Sequence, residues 1–406
     1  MRDAGRVVAV AALVATVALV VGFHVAHAQA LQLNAAVAFY VACAGILIWF
    51  LALASRREPW RDFEPAAGRV VAIVPAYNEY PAALKACLDA LLSGSYVPDS
   101  VHVVDDGSDP PLEPYRHGLV TWHRHQQNQG KRWAQLNAVR DETDADFVVT
   151  LDSDSVPHKH ALRECLRALS DPEIQAATAV VAVRNRRHSW LTRLVDLELV
   201  YGCLVQRAAR SSLGAVAPTS GAFAVYRASI IRENLVDYVL SGTAGDDRRL
   251  TEYALLRGRV VGCSAAWVQT DMPETFIQTF RQRVRWYKSY FLYLRWELVH
   301  LSGWPFRLRV WSLAMTLLFP ILLAWALIVV PLSAGTLYWQ PFAYWVALMY
   351  GQTAGYAANR PGMHVVSRTA AWLLLTPLLI PWSLILVKPA LYRAIPAARD
   401  FSWQTR

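Results

Sequence analysis

Cysteine is scarce and scattered: five residues in 406, at Cys43, Cys87, Cys165, Cys203 and Cys263, with no CxxC pair. That excludes a disulfide framework or a zinc ribbon and fits a reducing, cytosolic setting. Charge is also thin, with Asp, Glu, Lys and Arg making up 17% of the chain. The net charge of +9 comes without any block of five Lys or Arg, which argues against nucleic acid and leaves anionic lipid or an anionic small molecule as partners. Repeats and low-complexity tracts are absent as well. Apolar residues are abundant at 55%, above the roughly 45–50% of soluble domains, which argues against disorder and against a purely soluble fold. The length allows two units at about 100–200 residues each.

Two apolar stretches, Val7–Val21 and Leu33–Ala54, are each about long enough to cross a bilayer core. A cleaved signal peptide is the alternative for the first, since Arg2 and Arg6 precede it and Ala26-His27-Ala28 resembles a cleavage site. Either way Arg56, Arg57 and Arg61 put the following residues on the cytoplasmic side. Residues 55–270 then hold no lipid-spanning run and most of the acidic residues. Their short β-branched runs at 70–74, 101–104, 147–151 and 176–183 alternate with helical segments near 81–92, 131–140 and 159–169. This alternation predicts an α/β sheet with mainly parallel strands. Over 275–301, Phe276, Phe280, Val284, Tyr287, Phe291, Leu294 and Leu298 recur at steps of three and four beside several arginines, which predicts one interfacial helix. Apolar stretches return at 311–330, 337–356 and 369–387. Three spans would strand Lys388, Arg393, Arg399 and Arg406 outside, so Pro377 and Pro381 predict a broken or re-entrant last stretch. The expected layout is therefore 1–54 as two spans, 55–270 as the catalytic domain, 271–305 as the interface helix and 306–406 as a C-terminal membrane region.

The acidic residues of the middle domain cluster at strand ends. Asp105 and Asp106 close one strand, Asp152 and Asp154 close another, and Asp246 and Asp247 follow Gly245 in an expected loop. Ligands of open α/β sheets bind beyond the carboxyl ends of the strands, so the first two pairs should share a crevice. Each pair alone is also what a turn or a helix cap would carry. Together, carboxylates at i and i+2 after a buried strand fit a hard divalent cation, which would bridge a diphosphate and stabilise a nucleoside-diphosphate leaving group. Lys131, Arg132, Gln282 and Arg285 are the groups placed to meet those phosphates. An inverting sugar transfer also needs a base, and Asp247 is the candidate. An ion pair with Arg248 or Arg249 accounts for Asp247 equally well from spacing alone.

Six motifs occur in order: Pro75-Ala76-Tyr77-Asn78-Glu79, Asp105-Asp106-Gly107-Ser108, Asn128-x-Gly130-Lys131-Arg132, Asp152-Ser153-Asp154, Gly245-Asp246-Asp247-Arg248 and Gln282-Arg283-Val284-Arg285-Trp286. The sequence from about 68 to 330 thereby resembles the processive, membrane-embedded family 2 glycosyltransferases, which include cellulose, chitin and hyaluronan synthases, and is most similar to the bacterial hyaluronan synthases. The resemblance implies a GT-A-like α/β catalytic domain on transmembrane and interface helices in the cell membrane. It implies UDP-sugar donors, a growing polysaccharide acceptor, and Mg²⁺ or Mn²⁺ at Asp152 and Asp154. Tyr77 and Asp105 would hold uridine, Lys131 and Arg285 the diphosphate, and Trp286 would stack on the acceptor. Glu79, Asp106, Arg132, Asp246, Arg248 and Gln282 would complete the substrate site around Asp247 as base.

Two departures bear on the substrate. Thr219-Ser220-Gly221-Ala222 stands where hyaluronan synthases usually carry Cys-Ser-Gly-Pro, and Ser289–Tyr293 lacks their usual Arg-Glu. The expected product is hyaluronan from UDP-N-acetylglucosamine and UDP-glucuronate. The alternatives are a single-donor chitin-like synthase, a lipid-phosphate sugar transferase, and an inactive homologue serving as an assembly subunit.

Overall fold

The computed structural model describes residues 34–140, 142–241, 245–324 and 340–398. Eight strands form one mixed sheet: β1 (Val70–Ala76), β2 (Ser100–Asp105), β3 (Val120–Arg124), β4 (Phe147–Thr150), β5 (Val156–Pro157), β6 (Ile174–Val183), β7 (Ala224–Arg227) and β8 (Arg259–Thr270). Their spatial order is β3-β2-β1-β4-β7-β6-β8-β5. β1 pairs in parallel with β2 and β4, so Ala76 stands opposite Asp105 and Ile73 opposite Thr150. Hence three neighbouring strands end at one edge. β7 runs antiparallel to both β4 and β6, a departure from the mainly parallel expectation at its centre.

The central strands are buried almost throughout, which is why their sequences read as unbroken Val, Ile and Ala runs. Helices α1 (Asn34–Ala54), α2 (Pro81–Leu92), α3 (Lys131–Arg140), α4 (Ala161–Leu169), α5 (Trp190–Tyr201) and α6 (Asp246–Arg257) follow in chain order. On one face, α2, α4 and α5 cover a core that includes Val74, Leu88, Leu166, Val181 and Leu194. On the other, α6 contributes Leu250 and Ala254 to a core that includes Ile73, Tyr226 and Val260.

The expected interface helix is two helices, α7 (Phe276–Leu292) and α8 (Leu294–His300), separated at Tyr293. Thr275 caps α7 by accepting the Gln278 N–H. The three most fully buried side chains along this segment are polar, namely Thr279, Arg283 and Glu297, whereas Phe276 and Ile277 are exposed. α9 (Gly303–Ala324), α10 (Gln340–Asn359), α11 (Val365–Leu375) and α12 (Lys388–Ala397) follow among the described residues. Here the structure corrects the expected break at Pro377 and Pro381: Val365–Ala397 is one continuous helical run. Pro377 is absorbed in a 3-10 turn at Thr376–Leu378, and a π-helical turn at Ser383–Val387 follows.

Among the described residues, Val365–Ala397 is the segment long and apolar enough to cross a membrane. The first expected span, residues 325–339 of the later ones, and Arg399 and Arg406 lie outside the described residues. α1 packs Ala44, Leu47 and Leu51 against Tyr344 and Leu348 of α10. A buried ion pair ties the helices to the domain: Arg360, just beyond α10, donates to Asp196 of α5 at 2.9 Å, and the Tyr356 hydroxyl donates to the same carboxylate at 2.9 Å.

Candidate active site

The site is built at the carboxyl edge of β2, β1 and β4. Asp105, at the end of β2, is fully buried and accepts from the backbone N–H of Ser108 at 2.9 Å and Leu112 at 3.3 Å, and from the Arg124 guanidinium. Asp106 accepts from the N–H of Gln129 at 3.0 Å and of Gly130 at 2.7 Å, with His125 Nδ1 at 2.7 Å. The pair therefore fixes two loops against one another. Gly107 is required between them, because it has φ +80° and a Cβ there would stand 2.6 Å from the Asn128 nitrogen. Beside them Tyr77 is 38% exposed. Glu79 accepts from the Ser153 hydroxyl at 2.9 Å.

Lys131 opens α3 and joins two of the motifs. Its Nζ lies 2.7 Å from Asp152 Oδ1 and 2.8 Å from Asp246 Oδ2. Burial works against this ammonium, yet the two carboxylates outweigh it and hold its pKa well above the ordinary lysine value. Asp246 and Asp247 form the first turn of α6, where the helix N-terminus favours negative charge. Burial would raise Asp246, but Lys131 and Arg132 hold it below the usual carboxylate range. Burial and the charge of Asp246 push Asp247 up to about 6. Two adjacent carboxyls with divergent pKa values are the arrangement in which one remains ionised while the other exchanges a proton near neutrality.

Asp152 has a half-exposed side chain (41%), and its second oxygen faces the space over Gly221, where a Cβ would come within 3.4 Å. Asp154 accepts from Thr270 Oγ1 at 3.3 Å. No group of three or more metal-ligating side chains occurs among the described residues. Two carboxylates nonetheless fit Mg²⁺ or Mn²⁺ bound with a nucleotide, since such ions take one or two protein carboxylates and complete their shell with phosphate oxygens and water. The donor chemistry thus suits the expected cation.

Helix α7 brings the last motif to the same edge. Gly245 packs directly on Ser289, whose hydroxyl donates to the Trp286 carbonyl at 2.9 Å. The Trp286 ring is 38% exposed and lies against the Arg283 guanidinium, 4.5 Å from the ring centroid. Arg283 is itself buried and paired with Glu198 at 2.8 Å. Gln282 and Arg285 are half-buried on the same helix; the Gln282 amide donates to Met272 Sδ at 3.7 Å, while its buried oxygen has no partner among the described residues.

Two of the expected substrate-binding arginines are engaged elsewhere. Arg132 is 2% exposed and donates to the Tyr238 carbonyl and the Tyr293 hydroxyl, both at 2.7 Å. Arg248 is buried and donates to Glu297 at 2.9 Å and Ser289 at 3.3 Å. Sequence reasoning missed the groups that hold the site from behind: Glu198, Glu297 and the hydroxyl chain from Tyr226 through Thr219 and Thr251 to the Asp247 carbonyl, at 2.6, 2.8 and 2.6 Å. The available signal was an acidic residue inside an apolar helical run, as in Leu-Val-Asp196-Leu-Glu198-Leu-Val.

A family model described as "Glycosyltransferase like family 2" matches residues 66–289. The chain belongs to this family. The chain is 36% identical over 264 residues to a hyaluronan synthase of Streptococcus pyogenes, covering 60% of this chain and 62% of the relative. It is 34% identical over 239 residues to an N-acetylglucosaminyltransferase of Rhizobium sp., covering 54% of this chain and 52% of the relative. The chain thus spans about 62% and 52% of the lengths of these two relatives. Among solved structures, a mannosyltransferase from Pyrobaculum calidifontis, in complex with GDP-Man and Mn²⁺, aligns over 98% of this chain and 99% of its own with a TM-score of 0.51 at 19% identity. That likeness shows the GT-A-like fold, which the sequence resemblance had implied.

Proposed function

We propose that this family 2 glycosyltransferase is an inverting, processive polysaccharide synthase. In this reading it uses UDP-sugars in the cytosol and passes its product across the cell membrane. The observation that carries the proposal is Lys131 held between Asp152 and Asp246, because it joins the leaving-group end of the site to the helix turn that carries Asp247. Tyr77 and the loops fixed by Asp105 and Asp106 receive the uridine, and Lys131 and Arg285 face the diphosphate. Asp152 and Asp154 would hold a divalent cation, which would supply Lewis-acid neutralisation of the charge on the departing diphosphate.

The acceptor hydroxyl attacks the anomeric carbon on the face opposite UDP. A new glycosidic C–O bond forms as the bond to the phosphate oxygen breaks, and the hydroxyl proton passes to Asp247. The bonding electrons leave with UDP, whose charge is met by Lys131. Trp286, braced by Arg283, offers a flat apolar face to the acceptor sugar. The half-exposed apolar stripe of α7 suits a helix at the lipid boundary, with α1, α9, α10 and the Val365–Ala397 run as membrane helices.

The similarity to a hyaluronan synthase favours alternating UDP-N-acetylglucosamine and UDP-glucuronate; the similarity to an N-acetylglucosaminyltransferase favours a single-donor polymer as the second reading. The deciding experiment supplies purified protein in lipid with radiolabelled donors, separately and together, in Mg²⁺ or Mn²⁺. Hyaluronidase-sensitive polymer formed only with both donors supports the first reading. Polymer from one donor supports the second, and no transfer from either donor refutes both.

A further inference from the structure

Trp382 stands at an irregular point of the Val365–Ala397 run. A single α-helical turn, Leu379–Trp382, is set between the 3-10 turn at Thr376–Leu378 and the π-helical turn at Ser383–Val387. Pro381 has no N–H to give the preceding turn, and the π turn shifts the phase of the side chains beyond it. The Trp382 indole is buried, and its N–H donates to Glu198 Oε2 at 3.0 Å. Its ring meets that of Phe276, at the start of α7, edge to face, with centroids 6.4 Å apart and an interplanar angle of 88°.

Glu198 reaches this point from the catalytic domain. It follows Asp196 on α5 by two residues, about 200° around the helix, so the two acids serve different partners. Asp196 takes Arg360, and Glu198 takes Arg283 of α7. The Glu198 oxygen that accepts from Trp382 also accepts from Arg283 Nη2, at 2.8 Å. Arg283 is buried and makes no other ion pair among the described residues, and its Nε has no acceptor among them. One carboxylate oxygen therefore fixes the guanidinium that lies against Trp286, and two donors from different helices leave that oxygen a single position. With one face of the Trp286 indole covered by the cation, the exposed face is the one left for a sugar.

We propose that Glu198 and Trp382 are positioning residues for the acceptor. Acting through Arg283, they hold the Trp286 ring at the place where the terminal sugar of the growing chain stacks, and so tie retention of the chain to the C-terminal helical run. The inference rests on the reading of Trp286 as the acceptor platform of a processive enzyme. Neither residue bonds to Lys131, Asp152, Asp154 or Asp247, so their loss acts on the acceptor and leaves the donor end of the site intact. A chain held less firmly leaves earlier, and the product shortens in proportion to the faster release.

The test compares Trp382→Phe with Trp372→Phe in the full-length protein reconstituted in lipid. Each removes one indole N–H from the same helical run, but that of Trp372 donates to Thr353 Oγ1 at 2.9 Å, away from Glu198. The enzyme is supplied with UDP-N-acetylglucosamine and UDP-glucuronate, separately and together. Polymer length is read by gel electrophoresis and donor KM from the rate of UDP release. Trp382→Phe should shorten the polymer by about tenfold with donor KM unchanged, and Glu198→Ala should shorten it further. Glu198→Gln, which keeps an oxygen for both donors without the charge, should fall between the unmodified enzyme and Glu198→Ala. Trp372→Phe should give polymer of unaltered length. Polymer of unaltered length from Trp382→Phe, equal shortening by Trp372→Phe, or a rise in donor KM that accompanies the shortening would each overturn the proposal. Where a Glu198 variant fails to fold, the two Trp→Phe variants decide the matter. No polymer from the unmodified enzyme under any donor supply refutes the synthase reading and the proposal with it, whereas polymer whose length ignores Trp382 refutes the positioning role alone.

Discussion

Gly245 touches Ser289, one helical turn beyond Trp286: a Cβ at position 245 would stand 2.5 Å from the Ser289 Cβ, and Gly245 holds a left-handed φ of +68°. The turn before Asp246 and Asp247 is thereby pressed onto α7, one turn from Trp286. Alanine at 245 meets both the clash and backbone strain, on the order of 1–3 kcal/mol, and moves the proposed base away from the proposed acceptor platform. Gly245→Ala should lower sugar incorporation by about tenfold or more. Gly118→Ala, where a Cβ meets nothing within 4 Å, should leave incorporation unchanged. Equal activity of the two variants would mean that this contact does not set the site.

Asp247 predicts the pH dependence. Its carboxyl titrates at about 6, above the ordinary aspartate range, and accepts a proton only when ionised. kcat/KM should therefore fall as pH drops through about 6 and level off above it. Asp247→Asn should remove that limb and cost about 10²–10⁴ in rate, while UDP binding measured by calorimetry is retained. A rate unchanged between pH 5 and 7.5 would transfer the role of base to another group.

Lys131 is the cation that lets Asp152 and Asp246 stand close together. Lys131→Met leaves those carboxylates facing one another and removes the proposed partner of the diphosphate. It should raise KM for the donor and lower kcat/KM by about a hundredfold or more, with Lys131→Arg intermediate because its charge survives in a different geometry. Steady-state kinetics on both variants provide the check, and an unchanged donor KM in Lys131→Met would place the diphosphate elsewhere.

What the sequence disclosed follows from how local each signal was. The runs at 70–74, 101–104, 147–151 and 176–183 became β1, β2, β4 and β6 because burial on both faces leaves continuous apolar stretches. β3 escaped because Val120–Arg124 is only half-buried. β7 escaped because four residues carry little periodicity and its direction is a property of the sheet, not of the segment. Lys131 and Asp152 were legible as helix-start and strand-end residues, whereas Asp246 and Asp247, expected in a loop, form the first turn of α6. The inward turn of Arg132 and Arg248 was not legible, since it depends on Tyr293 and Glu297, more than 40 residues away in the chain. Likewise Tyr293 ends α7 and divides one periodic stripe into two helices.

Glu297 gives the last prediction. It is 1% exposed and accepts from Arg248 at 2.9 Å on one oxygen, while the other is paired with Arg309 of α9. The Arg309 guanidinium also lies over the Tyr290 ring, 3.7 Å from its centroid. One carboxylate thus joins the helix of the proposed base to the first helix after the interface pair. Removing its charge leaves two buried guanidinium groups facing each other, so Glu297→Gln should cost about 3–5 kcal/mol and lower the melting temperature in detergent. Arg309→Met alone removes one of the two cations and should cost less. The combined variant should recover part of the loss of Glu297→Gln, because a single arginine then faces a neutral amide. Strictly additive losses in that double-mutant cycle would show that the three side chains do not act as a unit. A recovery of melting temperature without recovery of transfer would show that their coupling serves the position of α6 as well as stability.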